Sequence, residues 1–345
     1  MRIALDATYS TGRDLSGVGV YSRELMAALA AAHPEARFRY CYRPHRLLRA
    51  LWETLPSNAR RAPLGEWFVP RADLFHGLNQ RLPQRCPRRA VCTFHDLFVL
   101  TGEYSTPEFR VRFAEQARHA AEAAAMVIAV SAFTAGQVHA LLGVERTRIR
   151  VVHHGVRAPA PAPASKREKV ILHVGAIQKR KNIVRLVEAF EQAGGGWRLV
   201  LAGAGGYGAE EILARIAGSP ARERILVTGY VTAETLALWY RRASIFAFPS
   251  LDEGFGMPVL EAMAAGVPVM ASDRAALPEV AGDAALAVDP VRSDAIAGAL
   301  DRLIHDEALR AELAERGVRR AAGFTWEKAA ATTWAAYREL LSGTA

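Results

Sequence analysis

Two glutamates, Glu253 and Glu261, stand eight residues apart around a glycine-rich turn in Ser250-Leu-Asp-Glu-Gly-Phe-Gly-Met-Pro-Val-Leu-Glu-Ala-Met-Ala-Ala-Gly266. Pro258 suits the first turn of a helix, and Gly266 suits its C-terminal stop. Gly254 and Gly256 allow the backbone to come close to a ligand, with amides directed at it. A helix N-terminus with open amides is an anion site suited to phosphate. Glu261, one turn inside, is placed to accept two hydrogen bonds from vicinal hydroxyls such as those of a ribose. Glu253, just before the helix, is expected to face a cleft. Phosphate, ribose and an adjoining hydroxyl-rich group describe a nucleotide sugar. Either glutamate alone would pass for a solvated residue on a turn; the whole pattern would not.

A second glycine pattern points elsewhere. Leu199-Val-Leu-Ala-Gly-Ala-Gly-Gly-Tyr-Gly208 fits the dinucleotide fingerprint G-x-G-x-x-G. That fingerprint wants an acid at the end of the following strand to hold a ribose. Here the following strand ends in Thr228, Gly229 and Tyr230. A tight strand-to-helix turn is the better reading, and NAD is rejected.

The elements that must position these residues follow an α/β rhythm. In the first half the strand candidates are RIALDAT, FRYCY, DLFHG, AVCTF, MVIAVS and IRVVHHGV. Helical patterns lie at Tyr21–Ala32, Pro107–Ala125 and Ala132–Leu142. After residue 165 the series restarts with VILHVGA, WRLVLAG, ILVTGY, SIFAFPS, VPVMAS and AALAVD. Short apolar runs separated by helices predict parallel sheets covered on both faces. Two such series predict two doubly wound, Rossmann-like domains facing across a cleft. The joint is the proline-alternating segment Ala158–Ser165, expected to be an extended linker. The division is placed at 1–162 and 163–325, with a closing helix at 326–341 packed back on the first domain.

The 345 residues are 51% hydrophobic and 23% charged, a globular composition without a membrane-spanning run. Cys41, Cys86 and Cys92 have no metal-ligand spacing, and an odd count fits a reducing compartment. With no signal-peptide pattern at the N-terminus, the expected location is cytoplasmic. Charge is uneven: residues 1–165 hold 22 Arg, no Lys and 13 acids, while the remainder balances 22 basic against 22 acidic residues. The whole excess of +9 therefore lies in the first half. It suits an anionic partner, or reflects only the use of Arg as surface charge. Residues 44–52, from Pro44 to Trp52, read either as a basic amphipathic helix at an anionic membrane face or as an ordinary surface helix. Nucleic acid ranks low, since no recognised module accompanies the patch.

The E-x7-E spacing in EGFGMPVLEAMAAGVPV, followed by ASDRAALPEVAGDAALAVDP, resembles the retaining glycosyltransferases of family 4, the group 1 type with the GT-B fold. SGVGVYSREL, TFHDLFVL, AVSAFTAGQV, RIRVVHHGV, HVGAIQKRKNIVRLVEAF and the closing helix extend the resemblance over nearly the whole chain. It implies that Gly17 and Gly19 form a first-domain loop approaching the diphosphate and acceptor, and that His95 reaches the transferred sugar near its 6-hydroxyl. Lys181 would bind the diphosphate beside Gly175. Glu253 would face the sugar's 3- and 4-hydroxyls, and the amides of Gly254, Phe255, Gly256 and Met257 would receive phosphate and sugar oxygens. Glu261 would hold the ribose, and Gly229 with Tyr230 would form the base-binding edge. Many members have Gly-Arg where this chain has Gly175-Ala176, and Arg180 is the expected substitute. Many also have Pro-Asn-Gly where this chain has His153-His154-Gly155, and His154 is given no chemistry. His76, His153 and His173 read as structural.

Fixed positive groups at a leaving diphosphate can replace a divalent metal. No D-x-D follows a strand and no His/Asp ligand set clusters, so neither metal nor cofactor is expected. The form Gly175–Asn182 and the His95-Asp-Leu97 motif look most like members that use GDP-mannose in polysaccharide or lipopolysaccharide assembly. The alternatives are UDP-glucose or UDP-N-acetylglucosamine as donor, a sugar-nucleotide epimerase of the same shape, and a nucleotide-sugar-binding protein without turnover. The acceptor is expected to be a glycan or a lipid-linked glycan, met at the inner face of the cytoplasmic membrane.

Overall fold

A computed structural model describes residues 1–12, 15–157 and 167–343. The linker expected at Ala158–Ser165 lies outside the described residues. The chain divides by packing into two units. Unit 1 comprises Met1–Thr101, Pro107–Gly155 and Phe324–Ala345, and unit 2 comprises Gly102–Thr106 with Val156–Gly323.

Unit 1 is built on β1 (Arg2–Asp6), β2 (Arg37–Tyr42), β3 (Ala59–Pro63), β4 (Leu74–Gly77), β5 (Ala90–Phe94), β6 (Met126–Ala129) and β7 (Ile149–Val151). All pair in parallel in the order β3-β2-β1-β4-β5-β6-β7. The helices are α1 (Gly17–Ala32), α2 (Pro44–Ala50), α3 (Phe98–Thr101), α4 (Pro107–Ala123) and α5 (Ala132–Leu142). Apolar residues point to both faces of these strands. Ile3, Leu5, Phe38 and Tyr40 join one buried cluster, and Ala4, Phe75 and Phe94 join the other. That two-sided burial is why the strands read as continuous apolar runs. β3 does not: its sequence ARRAP is an edge strand half solvated by arginine, and pattern alone does not find it. IRVVHHGV is strand only over its first three residues.

Unit 2 repeats the plan with β8 (Glu168–Val174), β9 (Arg198–Ala202), β10 (Ile225–Gly229), β11 (Ala243–Phe248), β12 (Val269–Ser272) and β13 (Ala285–Val288). These are also parallel, in the order β10-β9-β8-β11-β12-β13. Between them run α6 (Ile183–Glu191), α7 (Ala209–Ala217), α8 (Ala233–Arg242), α9 (Met257–Ala264) and α10 (Leu277–Ala281). α11 (Ser293–His305) and α12 (Glu307–Ala321) follow. α13 (Trp326–Ser342) belongs to unit 1, where Ala329, Ala330, Ala336 and Tyr337 enter the cluster beneath β1 and β2. Gly155 is needed there, because a Cβ on it would lie 2.3 Å from the Trp326 amide nitrogen. Among the described residues no helix is long and apolar enough to cross a membrane.

In each sheet the strand order reverses once, at β1/β4 in unit 1 and at β8/β11 in unit 2. The crevice outside the carboxyl ends of such strands is where open α/β sheets take ligands. Lys181 and Glu253, which follow β8 and β11, fall there in unit 2.

Candidate functional site

In unit 2, Lys181 follows β8 and Glu253 follows β11, the two strands at the reversal. Their side chains meet. The Lys181 ammonium donates to Glu253 Oε1 at 2.5 Å, and Arg180 Nη1 lies 2.8 Å from the same oxygen. Arg180 also donates to the Asp252 carbonyl. All three charged side chains are buried. Burial alone would raise the Glu253 carboxyl, but Arg180 and Lys181 outweigh it and bring it down to about 2. Two cations thus converge on one carboxylate. Lys181 Nζ also stands 4.5 Å from the Phe248 ring centroid, a second fixed contact.

The backbone that holds the cations is itself constrained. Asn182 adopts the left-handed conformation, φ 58°, and its side-chain amide donates to Pro249 O at 3.0 Å and Pro290 O at 2.6 Å. It ties the loop after β8 to those after β11 and β13. Gly175, φ 149°, lets Lys181 cross close to the backbone: a Cβ there would stand 3.1 Å from Lys181 Cε. Gly203 has the same kind of cause, since its Cβ would meet the Gly175 carbonyl oxygen at 1.9 Å. The glycine run after β9 is thus a packing requirement of the turn.

α9 begins after Gly256, which has φ 100° and no room for a Cβ beside Leu277 Cδ2 at 2.5 Å. The first-turn amides of a helix have no carbonyl partner within it, and the turn Gly254-Phe255-Gly256-Met257 leads directly into them. One turn on, half-buried Glu261 accepts a hydrogen bond from the Tyr240 hydroxyl at 2.8 Å. Burial raises its carboxyl and the Tyr240 bond partly offsets this. Gly229 and Tyr230 sit at the end of β10, two strands removed from β8–β11 in the sheet order. Gly229 has φ 68° and accepts from the Gly203 amide at 3.0 Å, and Tyr230 is 52% exposed.

In unit 1, His95 follows β5 and is buried. Its Nε2 lies 2.9 Å from Leu78 O. A carbonyl can only accept, so Nε2 carries the proton and the neutral ring offers Nδ1 as an acceptor. Burial holds its pKa down to about 4, with the Leu78 bond opposing. The ring packs edge-on against Tyr21 at 4.6 Å and stacks on His154 at 5.4 Å. His76 is a tether: it bridges Tyr337 of α13 at 2.6 Å and Thr93 of β5 at 2.8 Å, and burial takes its pKa down to about 3. Tyr21 closes the network on Thr93 at 3.0 Å.

Gly17 and Gly19 do not form a loop. They lie in the first turn of α1, which Ser16 caps by accepting from the Gly19 amide at 3.3 Å. Gly19 is there for close packing, because a Cβ would stand 2.7 Å from Tyr9 O. The structure thus brings together Gly175, Arg180, Lys181 and Glu253, and gives Glu261 a partner. Sequence reading passed over Tyr240, gave Asn182 no role beyond the form Gly175–Asn182, and did not foresee the stacking of His154 on His95; a hydroxyl-bearing ring on the helix before β11 is the signal for the first. Among the described residues no group of three or more His, Cys, Asp or Glu could hold a metal ion. Chemically, the residues of unit 2 can offer fixed cations to an anion, and those of unit 1 a neutral imidazole to a hydroxyl.

Residues 15–158 match the Glycosyltransferase Family 4 model, and residues 158–320 match that of Glycosyl transferases group 1. The chain is 34% identical over 285 residues to O-antigen chain mannosyltransferase B of Escherichia coli, spanning 77% of this chain and 74% of the relative. Sucrose-phosphate synthase of Thermosynechococcus elongatus has a TM-score of 0.80 to it at 24% identity, over 99% of this chain and 100% of that one. HepE of Anabaena in complex with UDP and glucose has a TM-score of 0.74 at 18% identity, over 99% and 100%. The likeness to these two structures is one of fold, GT-B.

Proposed function

Because this chain belongs to the group 1, family 4 glycosyltransferases, and is a hexosyltransferase on the GT-B fold, we propose that it moves mannose from GDP-mannose to a glycan or lipid-linked glycan with retention and without a metal. The observation that carries the reading is the convergence of Arg180 and Lys181 on Glu253, next to the turn that opens α9. The mannosyltransferase name of the Escherichia coli relative supports the sugar.

In this mechanism the diphosphate sits against Lys181, Arg180 and the amides from Gly254 to Met257. As the bond from C1 to the phosphate oxygen breaks, its electron pair passes to the diphosphate, where these cations already stand. Preorganised charge of this kind lowers the barrier without reorganisation. The acceptor hydroxyl attacks C1 from the same face, forming the new glycosidic bond, and its proton passes to the departing phosphate oxygen. His95 Nδ1 accepts from a sugar hydroxyl, Glu253 orients the ring, Glu261 takes the ribose, and Gly229 with Tyr230 borders the base. No divalent ion is needed to hold charge that two buried cations hold.

The acceptor side of the proposal includes contact with an anionic membrane. α2 and the residues after it carry Arg46 and Arg49 beside Leu48, 76% exposed, and Trp52, 91% exposed. That pattern fits an interfacial helix.

Calorimetric titration with GDP, UDP, ADP and dTDP, with and without EDTA, tests the donor. Selective GDP binding that survives EDTA is expected. UDP selectivity would retain the reaction class and overturn mannose, and conversion of free UDP-sugar without an acceptor would replace transfer by epimerisation. The anomeric configuration of the product, read by NMR, tests retention.

A further inference from the structure

Unit 1 holds a cavity of about 800 Å³ that the site described above does not use. It lies at the free edge of the sheet, beside β3. Arg2, Arg39, Arg60, Arg61, Arg71 and Arg85 line it, with no carboxylate among the described lining residues. Strand register explains part of the gathering. Ala4 pairs with Arg39 and Arg39 with Arg60, so two arginines stand side by side on neighbouring strands. Like charges directly opposite in a sheet destabilise it, and a bound anion would relieve that repulsion.

Four of the six arginines are available to such an anion. Arg2 stands 3.6 Å from Asp73, and Arg61 donates to the carbonyls of Ala50 and Glu53. The side chains of Arg39, Arg60, Arg71 and Arg85 have no hydrogen-bond or ion-pair partner among the described residues. The facing wall is a fixed loop. The Leu64 amide donates to Tyr42 O at 2.9 Å, and the Arg85 amide donates to Glu66 O at 2.8 Å. Glu66, the acid of that loop, is committed to Arg43 at 2.5 Å and Arg81 at 2.6 Å, both outside the lining. The same loop contributes Trp67, 73% exposed, and Phe68, 55% exposed, to the lining.

We propose that this cavity binds the phosphorylated head of an amphiphile, a phosphate or diphosphate joined to an apolar chain. The planar guanidinium pairs with two phosphate oxygens at once. A diphosphate concentrates several charges where a carboxylate brings one, which matches an array of unpaired arginines. Trp67 and Phe68 supply exposed apolar surface that an inorganic anion would leave unused. Two sources share this chemistry: the bulk anionic lipid of a bilayer, and the lipid that carries the glycan acceptor. The inference deepens the acceptor side of the function proposed above and rests on it for the second source alone.

The test titrates the full chain with inorganic pyrophosphate, with geranyl diphosphate, and with phosphatidylcholine vesicles with or without phosphatidylglycerol. Geranyl diphosphate is expected to bind more tightly than pyrophosphate. The double variant Arg60→Ser/Arg85→Ser, at two exposed positions, should weaken both by about tenfold or more, the scale of lost charge-assisted bonds. Trp67→Ser should weaken geranyl diphosphate alone. Capture by phosphatidylglycerol vesicles that the double variant loses supports bulk lipid as the source. Binding of geranyl diphosphate without vesicle capture supports the lipid carrier. Absence of binding by either diphosphate, or binding by both that the double variant leaves unchanged, would overturn the proposal. So would preference for an oligonucleotide over geranyl diphosphate. Sugar transfer to a water-soluble acceptor reads the separate question. A chain that binds geranyl diphosphate through Arg60 and Arg85 yet transfers no sugar keeps this cavity and loses the proposed function.

Discussion

The two units share a topology and differ in the electrostatics of the residues at their strand-order reversals. In unit 2 these residues are charged and already paired, with Arg180 and Lys181 on Glu253. In unit 1 the residues on and around β4 and β5 are neutral: His95, His76 and Tyr21 form a buried network whose imidazoles burial keeps deprotonated, while Asp6, at the end of β1, stands 3.9 Å from Arg43. The difference assigns the labour. In the proposed function unit 2 meets the charge that develops on the leaving diphosphate, and the neutral network of unit 1 orients hydroxyl groups.

Lys181→Ala is the largest expected break in that picture. It removes one of the two buried cations and leaves Glu253 with Arg180 alone. If the cations act mainly in the transition state, kcat should fall by about 10²–10³-fold, the scale of removing one preorganised donor, while donor affinity falls much less. Single-turnover rates beside calorimetric affinities separate the two. A loss confined to affinity would move Lys181 from stabilising the leaving group to holding the ground state.

Acid should separate the units next. A buried imidazole whose folded pKa lies below its unfolded value costs stability once the unfolded chain takes up the proton. The loss begins below about pH 6.5 and continues down to the folded pKa. His76 at about 3 and His95 at about 4 place this loss in unit 1, and His154, depressed chiefly by burial, adds to it. Unit 2 has His173 at about 4 in the same window. Its Glu253 works with opposite sign: stabilisation is complete above about 4.5 and is lost only as pH falls toward 2. At pH 5 each neutral imidazole should cost about 2 kcal/mol, from 1.36 kcal/mol per pKa unit. Hydrogen exchange should therefore show β4 and β5 losing more protection than β8 and β11 between pH 7 and pH 5. Equal losses would mean that the histidines of unit 1 are not held neutral by the fold.

His95→Ala sharpens the assignment of unit 1. Loss of one hydrogen bond to the sugar should lower kcat/KM by about tenfold to a hundredfold. The wild-type profile should carry no limb from His95 between pH 6 and 9, since that ring titrates at about 4. A limb near pH 6.5 that disappears in His95→Gln would show a protonated, acid–base histidine and would break the contrast with unit 2.

How much of this was legible in the sequence follows from what each residue depends on. Strands such as AVCTF and SIFAFPS announce themselves because both faces are buried, and local composition records it. β3 escapes because an edge strand needs no second apolar face and here carries arginine instead. The E-x7-E pattern, Gly256 and α9 are local and were readable. The pairing of Lys181 with Glu253 is not, because the residues are 72 positions apart and meet only when β8 and β11 become neighbours. Gly17 and Gly19 misled for a related reason. The resemblance implies a loop there, whereas the two glycines open α1 and the missing Cβ of Gly19 serves packing against Tyr9.

Tyr240 shows the same limit on a smaller scale and gives the mildest test. Its hydroxyl lies on α8, bonds Glu261 Oε2 at 2.8 Å, and approaches Pro258 O at 3.4 Å. A half-buried carboxylate with one such donor is oriented along the helix face and kept easier to ionise than burial alone would allow. In Tyr240→Phe the ring still fills its place and only the hydroxyl is lost, so Glu261 keeps its position and loses its direction. Nucleotide affinity should fall by about fivefold, the scale of one hydrogen bond that orients the carboxylate, and kcat should stay within about twofold because no charge at the leaving group has changed. Glu261→Ala should weaken binding further by removing the acceptor itself. If Tyr240→Phe instead lowered kcat and spared affinity, Glu261 would belong with Lys181 in the transition state, and the unit 2 site would be one charged network rather than a cation pair beside a separate ribose clasp.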